Sequence, residues 1–404
     1  MITTPFTADL CLKCNICTQS CPVAAVTDIF DGPKAVGPQM QRFRDPDSPP
    51  PPSSVDWCSG CGTCTRVCPH GVSVAEMNIQ AKNQHAQVEG VRLRDQLISR
   101  PELLGKMAAP MAPLANKLAN AKPLRALMER TLGISRHAPL PRFVTRSLRS
   151  RMRKHLASSP PEGKKILAYY HGCSANYFEP RIGLAAAAVL EALGYKVVLP
   201  PQNCCGLPLQ SNGLFDAARK LANKNLEYLA PFARAGIPII GTSTSCILSI
   251  KHEYRSILGI ESEAADIVAA NTYDIFEYLT MIEPQALADV TYHLIGARAI
   301  YHAPCQLLGH GIGAPAEPIL RRIPGLELHR SECTCCGVAG TYGVKAEKYQ
   351  VAVDVGRGLF EQAKNIAADF IITDSETCRW WISRHTGLPA YHPVEILSRA
   401  MNVR

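Results

Sequence analysis

The chain has 404 residues, 47% of them hydrophobic and 19% charged, a balance that suits folded domains with real cores and excludes a disordered or fibrous polymer. Its formal net charge is +9 and it holds 17 cysteines, yet MITTPFTADLC at the start has neither the cationic opening nor the apolar core of a secretory signal. Cysteine use on this scale without export points to metal ligation in a reducing compartment rather than a disulfide framework, and no apolar run is long enough for a membrane-spanning helix.

The first elements are two cysteine runs. CLKCNICTQSCP begins at Cys11 and CSGCGTCTRVCP at Cys58, and each reads C-x2-C-x2-C-x3-C-P. This is the ligand spacing of bacterial two-cluster ferredoxins, in which three cysteines on a wrapping loop bind one 4Fe–4S cube and the fourth reaches the other. The expected sets are Cys11, Cys14, Cys17 and Cys68 for one cluster, and Cys58, Cys61, Cys64 and Cys21 for its partner. Pro22 and Pro69 follow the last cysteine of each run, where a fixed φ and a missing donor turn the chain away. Paired CxxC steps also suit zinc, but zinc has no use for a duplicated third step ending in Cys-Pro. Between the runs, DPDSPPPPSS reads as a stiff extended spacer. After Cys68, VAEMNIQAKNQHAQV favours helix, so residues 1–90 are expected to form a helical two-cluster ferredoxin domain rather than a β-rich one.

Residues 91–163 form a basic, proline-containing linker. Between residues 100 and 155, 13 Lys and Arg face only Glu102 and Glu129, so this segment carries the whole positive excess. Short helical pieces are interrupted by Pro101, Pro110, Pro113 and Pro123. Then PLPRFVTRSLRSRMRKHL interleaves Phe143, Val144, Leu148, Met152 and Leu156 with arginines and a lysine. Basic, apolar, short helices suit a membrane interface with anionic lipid; docking on an acidic partner subunit or a solvated linker is the alternative. No recognition motif accompanies the basic patch, so nucleic acid is not an expected partner.

Residues 164–404 contain a duplication, read as two domains, 164–285 and 286–404. Cys173, Cys204–Cys205–Gly206 and Cys246 recur as Cys305, Cys335–Cys336–Gly337 and Cys378. Each copy runs β-α-β-α-β: KKILAYYHGC and ARAIYHAPC, then YKVVLPPQ and LELHRSE, then IPIIGTSTSC and DFIITDSETC as strands, with helical patterns between. Strands alternating with helices imply parallel sheets, so the chain as a whole is α/β with a helical ferredoxin domain at its N-terminus. The cysteines fall at strand ends, which a parallel sheet gathers on one edge. One metal site is therefore expected from Cys173, Cys204, Cys205 and Cys246, and another from Cys305, Cys335, Cys336 and Cys378. Gly206, Gly337 and Gly340 would let backbone approach the sulfurs and donate N–H groups.

CLKCNICTQSCPVAAV, DGPKAVGP, HGCSANY, CCGLPLQSNG, CCGVAGTYG and SETCRWWI together resemble the CCG family, the cysteine-rich proteins shared by heterodisulfide reductases and the iron–sulfur subunits of glycolate, lactate and glycerol-3-phosphate oxidation. The likeness covers nearly the whole chain and is strongest to the anaerobic glycerol-3-phosphate branch. It implies an electron-transfer subunit that links a separate FAD-containing dehydrogenase subunit to quinone (menaquinone or ubiquinone) in anaerobic respiration, bound peripherally at the cytoplasmic side of the inner membrane. The heterodisulfide-reductase pattern ends each repeat in CxxC, whereas this chain has Ser243-x-x-Cys246 and Ser375-x-x-Cys378. Four cysteines per repeat in place of five argue against disulfide-reducing chemistry and leave open a four-thiolate cube in both repeats or in one. Cys333 is the one cysteine left over and reads as a bystander.

His171, His302 and His392 lie near the expected sites. A proton shuttle is one reading; a packed or hydrogen-bonded ring is the plainer one. Trp380 and Trp381 beside Cys378 read as core before they read as a quinone slot. No Walker motif and no G-x-G-x-x-G opening a helix is found, so no FAD or NAD site is expected here. No residue is assigned to catalysis, because an electron carrier without a hydride acceptor relies on a partner to oxidise the organic substrate.

Overall fold

The computed structural model describes residues 8–40 and 52–403; residues 45–51 of the proline-rich spacer lie outside the described residues. From residue 8 to residue 100 the described chain is helix and turn without a strand. Short helices Ile16–Gln19 and Thr63–Arg66 sit inside the two cysteine runs, and the longer helix Val74–Glu89 follows. That helix buries Val74, Ala75, Met77 and Ile79 and stops at Gly90, whose φ of 77° suits glycine best. Its Ile79 belongs to the core of the first repeat and its Ala81 to a core shared with the second, so one helix ties the ferredoxin unit to both.

The linker folds into four short helices, Leu93–Ile98, Pro101–Ala108, Ala112–Asn120 and Lys122–Leu132. Pro101, Pro113 and Pro123 each stand in a first turn, where no intrahelical partner awaits the missing N–H. The arginine-rich stretch after them departs from the expected amphipathic surface. Only Leu148–Arg151 is α-helical there, and Leu148 and Met152 are buried in the core of the first repeat. Phe143 packs on Phe178 with ring centroids 5.6 Å apart, and Arg149 donates to Pro200 O at 2.8 Å. Leu156 stays 44% exposed there, and further exposed apolar side chains lie upstream: Leu93, Leu97, Leu103, Met107, Met111, Leu114, Leu118 and Leu127 are 41% to 69% exposed. No helix among the described residues is long and apolar enough to cross a membrane.

Each repeat is a parallel four-stranded sheet. The first holds β1 (Ile166–Tyr170), β2 (Lys196–Val198), β3 (Ile239–Gly241) and β4 (Thr272–Asp274) in the order β2-β1-β3-β4. The second holds β5 (Ala297–Tyr301), β6 (Leu326–Arg330), β7 (Phe370–Ile372) and β8 (Ala390–Tyr391) in the order β6-β5-β7-β8. Three strands per repeat stand where the sequence places them. The fourth, β4 and β8, exceeds the expected β-α-β-α-β order. Helix Phe215–Arg234 covers its sheet with Phe215, Ala218, Ala222, Leu226, Leu229 and Ala233, one face of a 3.6-residue period. The repeats share a core in which Leu167 and Tyr169 of β1 join Tyr301 of β5 and Ile372 of β7 through helices Pro180–Ala192 and Pro393–Ala400.

Candidate metal centres

The two ferredoxin-type runs repeat their backbone as well as their spacing. Lys13 and Asn15 in the first, and Gly60 and Gly62 in the second, all have φ between 59° and 74°. Left-handed residues alternating with ordinary ones turn successive N–H groups inward, a concavity suited to an anionic group. Cys11, Cys14, Cys17 and Cys68 line one cavity together with Ile16, Val72 and Val74, and Cys14 reaches the surface. Cys21, Cys58, Cys61 and Cys64 gather deeper, each no more than 9% exposed. Burial pushes the Cys21 thiol up to about 12, with Cys61 and Cys58 adding to the rise. Burial raises Cys64 too, again with Cys61, Cys58 and Cys21 as neighbours. Thiols held neutral by burial become ligands only when a cation displaces their protons, and the four sulfurs fit that role.

In the first repeat the strand ends bring four cysteines together. Cys173 rides in helix Gly172–Tyr177 after β1, Cys204 and Cys205 follow β2, and Cys246 rides in helix Thr244–Leu248 after β3. The Cys204 thiol touches those of Cys173 and Cys205, and these contacts, opposed by burial, pull it well below the usual thiol range. Cys205 in turn touches Cys246. The second repeat matches it. Cys305 opens helix Cys305–Gly309, Cys335 and Cys336 follow β6, and Cys378 lies in the first turn of helix Glu376–Thr386. Cys335 touches Cys305, and Cys336 Sγ lies 3.0 Å from Cys378 Sγ.

The glycines divide. Gly337 N donates to Cys335 Sγ at 3.3 Å, and a Cβ on Gly337 would fall 1.9 Å from Ala352 O. Gly206 N likewise donates to the Cys204 thiol. Gly340 has a φ of +62°, but a Cβ there would meet open space; it serves the turn and not a close approach.

Contacts join the groups of cysteines to one another. The thiols of Cys61 and Cys305 are neighbours, and Cys335 also feels Cys61. Backbone ties reinforce the contact: Arg66 Nη1 donates to Cys305 O at 3.3 Å, and Gln306 Nε2 donates to Gly60 O at 3.4 Å. Between the repeats, Ser243 Oγ donates to the Glu376 carboxylate at 3.2 and 3.3 Å, and the same carboxylate acts on the Cys173 thiol.

Residues 7–72 match the 4Fe-4S dicluster domain, and residues 167–251 and 299–383 each match the cysteine-rich domain, CCG. The C subunit of anaerobic glycerol-3-phosphate dehydrogenase from Escherichia coli K12 is 35% identical over 394 residues, 97% of this chain and 98% of that protein. The chain belongs to the family of anaerobic glycerol-3-phosphate dehydrogenase C subunits. The B subunit of fumarate reductase (CoM/CoB) from Methanothermobacter marburgensis is 30% identical over 53% of this chain and 40% of its own. Lactate utilization protein A of Halalkalibacterium halodurans is 31% identical over 43% of this chain and 70% of its own. A 4Fe-4S dicluster domain thus stands at the N-terminal end of this family member, and two cysteine-rich domains make up its C-terminal part.

Several side chains of this family member escape a reading of motifs. Asn225 is fully buried on the apolar face of helix Phe215–Arg234, where it accepts from Asn203 N at 2.8 Å and donates to Cys204 O at 3.1 Å. A polar residue in an apolar stripe was its one signal. Gly356 does the matching work in the second repeat by leaving room, since a Cβ would lie 2.3 Å from Cys336 O. Beneath the deeper ferredoxin-type site, Lys82 Nζ donates to Cys58 O at 2.7 Å, and Lys348 Nζ meets Asp56 Oδ2 at 2.5 Å. The Lys348 cation beside it holds the Asp56 carboxyl well below the usual range against its burial.

A cavity of about 190 Å³ opens onto the first repeat's site, lined by Glu102, Lys106, Arg149, His171, Cys173, Tyr177 and Cys204 among others. Glu102 Oε2 accepts from Cys204 N at 2.6 Å, which makes one of the two acids in the basic segment part of the site. His171 lines this cavity with its buried Nε2 unpartnered, whereas His392 Nε2 meets Thr242 O at 2.9 Å and its Nδ1 accepts from Val394 N. Trp381 is fully buried against Tyr349 and His385, and Trp380 packs on Phe178; neither lines the cavity. Cys333 stands apart, with its sulfur against Gly358 and its thiol near Ser331.

Proposed function

We propose that this chain is the iron–sulfur electron-transfer and membrane-docking subunit of a glycerol-3-phosphate dehydrogenase complex, accepting electrons from an FAD-containing partner and delivering them to quinone at the cytoplasmic side of the inner membrane. The observation that carries the reading is the end-to-end likeness to a dehydrogenase C subunit, 35% over 97% of the chain, together with the contact between Cys61 and Cys305 that joins the ferredoxin-type cysteines to those of the second repeat. Cys11, Cys14, Cys17 and Cys68 hold one cube, and Cys21, Cys58, Cys61 and Cys64 hold the second; each CCG repeat holds a further iron–sulfur group on its four cysteines. Iron–sulfur clusters supply one-electron steps, which joins a two-electron flavin to a quinone. The partner docks where Cys14 reaches the surface beside exposed Leu10 and Leu12.

The acceptor end lies in the first repeat, away from the Cys61–Cys305 contact, in the cavity beside Cys173 and Cys204. Lys106 and Arg149 offer donors for quinone oxygens, and His171 Nε2, left as an acceptor because Nδ1 donates to Gly172 O, offers a place for a hydroquinone hydroxyl. Helix Pro101–Ala108 forms one wall through Glu102 and Lys106 and turns Leu103 and Met107 outward, so the cavity adjoins the apolar surface that rests on lipid. The lysines and arginines of residues 100–155 supply attraction to anionic headgroups.

A lactate- or glycolate-oxidising complex is the second reading, favoured by the 31% identity to a lactate utilization protein A. Independent disulfide reduction is disfavoured by Ser243 and Ser375. The test is anaerobic reconstitution of the iron-loaded full chain with a glycerol-3-phosphate flavoprotein. Glycerol-3-phosphate should then bleach the cluster absorption around 400 nm on the order of tenfold faster than when the flavoprotein is left out. Bleaching only with a lactate or glycolate flavoprotein would transfer the chain to the second reading.

A further inference from the structure

We infer that His302 is a metal ligand of the second CCG site, a nitrogen donor added to the thiols of Cys305, Cys335, Cys336 and Cys378, and that the first site has no counterpart. His302 is fully buried, and its ring nitrogens meet no oxygen or nitrogen partner; the group the ring meets is the Cys378 thiol. A buried ring nitrogen left without a better partner is costly, and a ligand bond removes that cost. A ring nitrogen, Cys336 Sγ and Cys378 Sγ all lie within 4.8 Å of one another. Ligand bonds of about 2.0 to 2.3 Å meeting tetrahedrally at one ion would place their donors about 3.3 to 3.8 Å apart, so a small shift brings the ring into coordinating range.

The backbone explains why this histidine and not its counterpart is so placed. His302 N donates to Ile372 O at 2.9 Å, which extends the pairing of β5 with β7, the strand that leads to Cys378. His171 leaves β1 differently: its N donates to Gln202 Oε1 at 2.8 Å and its Nδ1 meets Gly172 O at 2.6 Å. One residue separates His171 from Cys173, while Ala303 and Pro304 separate His302 from Cys305. Ser375 stands where a fifth cysteine would, and its hydroxyl lies 3.3 Å from Thr377 Oγ1. His302 thus restores a fifth donor in the second repeat alone. A neutral imidazole leaves a cluster less negative than a thiolate does and raises its potential. The second site is also the one beside Cys61, so the CCG group that meets the ferredoxin unit is the more oxidising of the two.

The inference rests on the reading that the second repeat binds iron. Full-length holoprotein, prepared and reduced anaerobically, is examined by pulsed electron paramagnetic resonance with and without 15N-histidine labelling, alongside iron and sulfide analysis. The expected result is a histidine nitrogen coupling that changes with the isotope, is lost in His302→Gln and is kept in His171→Gln. In His302→Cys the midpoint potential of that signal should fall. Iron beyond the roughly eight atoms of two cubes with no histidine coupling, or a coupling that survives His302→Gln, overturns the ligand. Iron limited to the two cubes, or zinc in the second repeat, overturns the cluster reading beneath it. Should His302→Gln not fold, the labelled wild type and His171→Gln decide alone.

Discussion

Asn225 and Gly356 hold the two cysteine pairs by opposite means, one by an amide that grips Cys204 O and the other by the absence of a side chain over Cys336 O. A fully buried amide is tolerated because its hydrogen bonds are made. Glu253 is a different case, a carboxyl in the same core whose partner Gln210 Nε2 donates at 3.0 Å. Burial raises its pKa to about 7, and the Gln210 bond opposes the rise only in part. The folded state therefore holds this proton more firmly than the unfolded chain does. The stabilisation is complete below the ordinary carboxyl range, about 4.3, and is lost as pH rises towards about 7. In Glu253→Gln, stability relative to the wild type should gain with pH over that interval and level off above it, by roughly 3 to 4 kcal/mol. Anaerobic denaturation of both holoproteins at acid, neutral and mildly alkaline pH measures the difference; one that does not vary with pH would refute the assignment.

Among the elements, the linker helices changed most between expectation and structure. Composition placed basic and apolar residues together over 100–155, and the stretch around Leu148 carried the more obvious amphipathic pattern. Leu148 and Met152 nevertheless complete the core of the first repeat. The proposed membrane contact would then use Leu103, Met107, Met111, Leu114 and Leu118, which are exposed. Burial of one such side chain in lipid is worth about 1.5 kcal/mol or more. Leu103→Glu with Met107→Glu should thus weaken association with phosphatidylglycerol-containing vesicles roughly a hundredfold, and wild-type binding should weaken with salt. Flotation assays report both; unaltered binding by the double variant would move the contact elsewhere.

For the whole molecule, the consequence of the fold is order. The chain begins with the pair of ferredoxin-type runs, and the cysteines of the second CCG repeat are the ones that meet theirs, through Cys61 and Cys305. The first repeat, nearer in sequence, owns the cavity. Cys305→Ser should therefore leave the ferredoxin-type centres reducible by the flavoprotein while quinone-analogue reduction falls at least about tenfold. Stopped-flow spectra of the reconstituted complex separate the two steps, and equal loss of both would show that Cys305 does not stand between them.

Spacing alone marked the sixteen cysteines of the four groups, the duplication and three strands of every sheet, because ligand geometry and side-chain period are local properties written into short stretches. The contacts that give those groups an order were not legible there. Cys61 against Cys305, Glu376 between the repeats, Glu102 on Cys204 and His302 among the thiols join residues distant in the chain or turned by a single inserted residue. Their positions follow from how sheets and helices pack into a shared core, which only the tertiary structure decides, because packing energy is summed over surfaces that no local pattern contains.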